Sequence, residues 1–164
     1  MTKAQAILAE QKQEAIATRK ILESVPFDKY DWKPHAKSMS LGQLAVHVSE
    51  IPGWFKETLM QDELNFAGGD YKPFVAKDSA ELMAHFDKNL NKAEEILSSF
   101  PDEKMGDPWT MRNGDMVFFT MPKEQVVRTW CLNHWYHHRA QLGVYLRLLD
   151  VPVPVTYGQS ADGH

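Results

Sequence analysis

The stretch from Pro122 to Asp150 constrains the fold of this chain more than any other. Val127, Trp130, His134, His138, Leu142, Tyr145 and Leu149 recur by threes and fours, the spacing of one helical face. Proline suits the first helical position, and Val151-Pro152-Val153-Pro154 stops the helix. A helix this long with one apolar stripe must bury that stripe against other elements. Two of the stripe's residues are histidines, one helical turn apart.

Three more segments read as helix. Residues 3–24 are rich in Ala, Glu, Gln and Lys and end before Pro26. The apolar pattern there is weak, so this helix rests on propensity and its stop signal. The second helix opens at Ser40-Leu41-Gly42-Gln43, a capping box, with Met39 and Leu44 as its hydrophobic staple. Its apolar face is Leu44, His47, Val48, Ile51, Trp54 and Phe55. Pro52 frees the carbonyl of Val48, which predicts a kink one turn past His47. The third helix spans about Asp78 to Ser98, with Leu82, Phe86, Leu90, Ala93 and Leu97 as its stripe. Asn113-Gly114 between apolar, β-prone residues predicts a short hairpin, and residues 26–39 and 61–77 read as connecting loops. The expected fold class is all-α: residues 1–164 as one domain, a four-helix bundle with a short β-hairpin insertion between helices 3 and 4.

Composition narrows the partners. The 18 Lys and Arg are outnumbered by 22 Asp and Glu and form no cluster, which argues against nucleic acid. A 43% hydrophobic share and 24% charge match a soluble globular protein, which at this length buries roughly 70% of its unfolded surface without staples. The one cysteine, Cys131, permits no internal disulfide and fits a reducing compartment. Charges from Lys3 onward speak against a signal peptide, and no run approaches the ~18 apolar residues of a membrane span. No membrane association and a cytoplasmic location are expected.

The histidines carry the chemistry. His134 and His138 fall on the stripe of the last helix and His47 on that of the second, so three imidazoles can face one interior. An i, i+4 pair stands about 5–6 Å apart at Cβ, suited to two ligands of one divalent metal, and a distant third closes the site. Three neutral histidines leave a position for water or substrate, the catalytic rather than the structural pattern. A lone histidine on an apolar stripe is ordinarily a satisfied core residue, and a plain bundle with core histidines is the competing reading. Burying three unpaired imidazoles would cost desolvation with no return, which favours metal. Trp135 stands where the HExxH motif has glutamate, so metalloprotease chemistry is disfavoured. Cys131 reads as packing. His137 lies off the stripe, and His35 and His85 are assigned to the surface. His164, the last residue, is expected to be mobile. Glu50 reads as a solvated carboxylate, and the five tryptophans as core material, with one or two at a pocket mouth.

The run Leu132-Asn133-His134-Trp135-Tyr136-His137-His138-Arg139, continuing to Val153-Pro154, resembles the last helix of the DinB-like (DinB/YfiT) family. Tyr157-Gly158-Gln159-Ser160-Ala161-Asp162 is similar to that family's tail, and Trp32-Lys33-Pro34 followed by Ser40 to His47 resembles the start of its second helix. The resemblance implies a four-helix bundle with a three-histidine metal site, mapped onto His47, His134 and His138. It further implies a divalent metal, zinc or nickel above others, and a homodimer. The wider superfamily includes thiol-dependent transferases. By analogy the expectation is a metalloenzyme, hydrolase or S-transferase in type, with a small-molecule substrate and a low-molecular-weight thiol as co-substrate. The alternative is a non-catalytic, stress-related metal-binding or dimerising bundle.

Overall fold

The computed structural model describes residues 1–69 and 72–163. His164 and two residues of the 61–77 segment therefore lie outside the described residues. The protein is mostly helical, with four helices and a small three-stranded mixed sheet. None of its helices is long and apolar enough to cross a membrane, among the described residues.

The first helix, α1 (Lys3–Glu23), begins at Thr2, whose side chain and that of Gln5 form a reciprocal capping box. Its weak pattern has a structural cause. Two of its buried positions are polar, Gln11 and Thr18, so its inner face is not a plain apolar stripe. The second helix starts as α2 (Leu41–Glu50), with the predicted capping box between Ser40 and Gln43 in place. Its first N–H groups find partners in the preceding loop: Leu41 donates to the carbonyl of Trp32 and Gly42 to that of Tyr30. The Tyr30 ring lies so close that a Cβ at residue 42 would stand 2.3 Å from it, so any side chain there would displace the ring.

The predicted break at Pro52 is present. Residues Ile51–Trp54 tighten into a 3₁₀ turn and the helix resumes as α3 (Phe55–Leu59). The carbonyl of Ser49, next to the break, accepts a hydrogen bond from Asn89 Nδ2 at 3.1 Å. Gly53 lets this contact form, since a Cβ there would stand 2.6 Å from Asn89 Oδ1. Asn89 belongs to α4 (Ser79–Ser99), capped by Asp78 through the N–H of Glu81 at 2.8 Å. The buried face of α4 is Leu82, Phe86, Asn89, Ala93 and Leu97. Asn89 is buried in place of the predicted Leu90, because the broken second helix offers it a carbonyl.

The loop assigned to residues 61–77 contains a strand, β1 (Glu63–Asn65). It pairs in parallel with β2 (Pro108–Asn113), and β2 pairs antiparallel with β3 (Met116–Pro122). The expected hairpin is thus two strands of three. Its turn has Gly114 at φ +59°, the first central position of a two-residue connection, where glycine meets no steric cost. Trp109 anchors the sheet: it is fully buried with Met111 and Val126, and its indole N–H donates to the carbonyl of Glu57 at 2.9 Å.

The last helix is where expectation and structure differ most. It begins at Lys123, one residue later than predicted, as α5 (Lys123–Val126). It then passes through a π-helical segment, Val127–Asn133, and continues as α6 (His134–Leu148). A π turn adds a residue per turn and rotates the helical faces beyond it. The fully buried hydrophobic residues of this last helix are Val126, Val127, Cys131, Leu132, Trp135, Leu142 and Leu146. The predicted stripe through Trp130, His134 and His138 is only partly buried and flanks that face. Among the described residues the core has an apolar cluster around Leu44, Phe86 and Trp135, one around Phe55, Leu97 and Leu132, and the smaller one around Trp109.

Candidate metal centre

The chain brings His47, His134 and His138 together. One ring nitrogen from each lies within 4.8 Å of the others. His47 Nε2 and His134 Nε2 are 3.0 Å apart, and the ring centroids are 4.5–5.3 Å from one another. On a tetrahedral zinc with bonds of roughly 2.0–2.1 Å, two ligand nitrogens stand about 3.3 Å apart. The observed spacing fits such an ion with a small adjustment.

Each of two histidines is oriented by a residue three positions later. His47 Nδ1 lies 2.9 Å from Glu50 Oε1, and His138 Nδ1 lies 2.7 Å from Gln141 Oε1. Both partners are acceptors, so both Nδ1 atoms carry the proton and both Nε2 atoms carry a lone pair. This outer shell fixes tautomer and ring orientation as metal-ligating histidines require. Burial, then the neighbouring His138 and His47, lower the proton affinity of His134 to a pKa of about 4. Burial is also the main cause of the lowered value of His138. Neutral imidazole, the form that ligates, is thereby favoured at pH 7.

Glu50 is therefore not the solvated carboxylate expected: its side chain is 15% exposed and tied to His47. The i, i+3 pattern His47-x-x-Glu50 and His138-x-x-Gln141 was available in the sequence as a signal for both. His85 also departs from expectation. It is half-buried rather than on the surface, stacked on Phe74 with centroids 4.2 Å apart. His137 and His35 are exposed, as expected. Cys131 is fully buried beside Thr58, its thiol pKa pushed up to about 12 by desolvation. It lies outside the histidine cluster, consistent with packing.

A cavity of about 620 Å³ opens beside the cluster. His47, Trp54 and Trp130 form one wall, Leu64 and Phe66 from the β1 region another, and His85 and Asn89 of α4 a third. Trp54 and Trp130 stack at 4.9 Å, and each ring also packs against His134, at 5.1 and 5.2 Å. The π segment carries Trp130 into this stack. The arrangement joins a convergent donor set to a mostly apolar chamber able to hold a small molecule.

Comparisons with known proteins agree with this architecture. The family model for the DinB family matches residues 1–162. A crystal structure of a DinB-like protein from Bacillus cereus superposes with a TM-score of 0.70 at 23% identity, covering 93% of this chain and 97% of that one. A DinB-like protein from Bacillus subtilis gives 0.70 at 17% identity, covering 94% and 99%. At these identities the structural likeness is one of fold. No curated protein matches the sequence significantly. The chain belongs to the DinB family.

Proposed function

We propose that this DinB-family chain binds one divalent metal ion through His47, His134 and His138, and acts on a small molecule held in the adjoining cavity. The observation that carries the reading is the paired outer shell. Glu50 and Gln141 each take an Nδ1 proton and leave two Nε2 lone pairs converging on the third histidine. A core histidine also bonds its ring N–H; what goes beyond packing is that three rings so placed bring a nitrogen each within 4.8 Å of the others. An ion held by three neutral imidazoles supplies Lewis-acid activation of water or of a low-molecular-weight thiol. Zinc or nickel suits the all-imidazole donor set. The protein's own contribution is to keep His134 and His138 neutral, to orient His47 and His138, and to shelter the substrate. Trp54 and Trp130 form an apolar wall that excludes bulk water from one side of His134. The reaction type proposed is hydrolysis or thiol transfer to an electrophile.

Metal analysis after reconstitution with zinc or nickel tests the first half. About one equivalent is expected in the wild type and less than about a tenth in His134→Ala. A wild type at the variant's level would sink the metal reading. The second half is tested with 4-nitrophenyl acetate for hydrolysis and 1-chloro-2,4-dinitrobenzene with a panel of small thiols for transfer. A metal-dependent rate that His134→Ala lacks is expected. Stoichiometric metal with no such rate in either assay would make the centre structural and defeat the enzyme reading.

A further inference from the structure

We propose that His85 is a ligand-binding residue of the cavity, its Nε2 accepting a hydrogen bond from an O–H, N–H or S–H donor of a small, largely apolar molecule. Its tautomer is set by Ser49, which is fully buried on α2. The Ser49 hydroxyl oxygen lies 2.7 Å from the carbonyl oxygen of Val46 and 3.0 Å from His85 Nδ1. A carbonyl only accepts, so the single hydroxyl proton goes to Val46. Ser49 Oγ must then accept from His85 Nδ1–H, and the lone pair of His85 falls on Nε2.

The remaining neighbours leave that lone pair available. Asn89 Nδ2 stands 3.4 Å from both ring nitrogens of His85. An atom in the ring plane at equal distance from both would collide with the ring carbons, so the amide lies over the ring face. Its in-line hydrogen bond goes instead to the carbonyl of Ser49, at 3.1 Å. Phe74 stacks on the ring, with planes 8° apart, and locks its orientation. His85 thus has a fixed tautomer and a fixed plane, and it lines the cavity. Glu50 on α2 draws its proton affinity up and Lys88 and Lys92 on α4 draw it down, but burial is the larger influence and keeps the ring neutral. The apolar part of the lining comes from Trp54, Trp130, Leu64 and Phe66. Charged side chains of Glu50, Lys56, Glu57 and Lys92 also line the space, and a largely apolar molecule there would place a donor on His85 and its body against the indoles.

The His85 anchor needs no metal, and the test keeps the two sites apart. Phenol and toluene are nearly isosteric, and only phenol has a donor. Their affinities for the wild type and for His85→Phe are measured by NMR titration of the indole N–H signals, with and without zinc. The phenol-to-toluene affinity ratio is expected to fall about fivefold or more in His85→Phe, the weight of one hydrogen bond. The fall is expected to be the same with and without zinc. An unchanged ratio, or a fall seen only with zinc, would overturn the proposal. Toluene binding by the variant reports an intact cavity. Should that binding be lost, Ser49→Ala replaces it, with the His85 tautomer read by ¹⁵N-histidine NMR. The wild type is expected to show the Nδ1–H form, and Ser49→Ala a tautomer mixture with a reduced ratio. An Nε2–H form in the wild type would overturn the proposal equally.

Discussion

α6 carries two polar clusters on neighbouring faces, and they differ in how fully their hydrogen-bonding capacity is used. Around Arg139 both terminal guanidinium nitrogens are bonded. The guanidinium, 3% exposed, meets the Glu14 carboxylate at 2.7 Å, and donates to the Glu14 carbonyl and to Thr18 Oγ1, both at 3.1 Å. The Tyr157 hydroxyl adds a further contact, and the rings of Tyr136 and Tyr157 flank the cation. Beside it, His134 and His138 meet His47, with one ring nitrogen of each within 4.8 Å of the others. The first cluster docks α1 and the C-terminal tail onto α6. The second gathers three ring nitrogens in one place as a candidate ligand set.

Substitution should separate the two clusters sharply. Arg139→Leu leaves the Glu14 carboxylate, only 12% exposed, without its cation. Chemical denaturation should record a loss of about 3–5 kcal/mol. Saturating zinc, at roughly a hundred times Kd, should raise the stability of the wild type by about 2.7 kcal/mol and leave His134→Leu unmoved. An equal rise in both proteins would place the ion elsewhere. Glu50→Gln keeps the fold but removes the charge beside His47, so zinc affinity should drop about 10- to 100-fold in a competitive chelator titration.

A smaller effect comes from pH. His134 is depressed from the ordinary 6.5 to about 4, so protons bind the unfolded chain in preference to the folded one. The metal-free protein should hold its full stability from this group above pH 6.5, and lose it as pH falls toward about 4. His134→Leu should flatten that slope in urea melts taken across the window. The same variant at pH 7 without metal should stay within about 1 kcal/mol of the wild type, because an apolar side chain replaces a half-buried polar one. A loss near that of Arg139→Leu would erase the distinction between the clusters.

The sequence made some of this legible for clear reasons. Helices reveal themselves by period, caps and proline, so the Ser40 box, the Asp78 cap and the break at Pro52 were readable locally. The three histidines were readable because two share one helical face and the third lies on another helix's apolar stripe. Period does not encode a π turn, so the inserted residue in Val127–Asn133 displaced the buried face from the predicted stripe. β1 could not be read either: three residues gain strand character only by pairing with β2, which arrives after α4 has crossed back. Glu50 and Gln141 stood at a repeated spacing, but their burial depended on what packed above them.

The sequence by itself determined the helical elements, their ends and the set of metal-ligand candidates, because those depend on backbone preference and on residues within a few turns. Tertiary structure alone decided which polar atoms were left unused. A lone pair on His47, His138 or His85 is set by a neighbour's hydrogen bond. The neighbour of His85 is Ser49, thirty-six positions away in the chain and 3.0 Å away in space. The geometry of this candidate centre depends on those pairings, and they exist only once the helices have met.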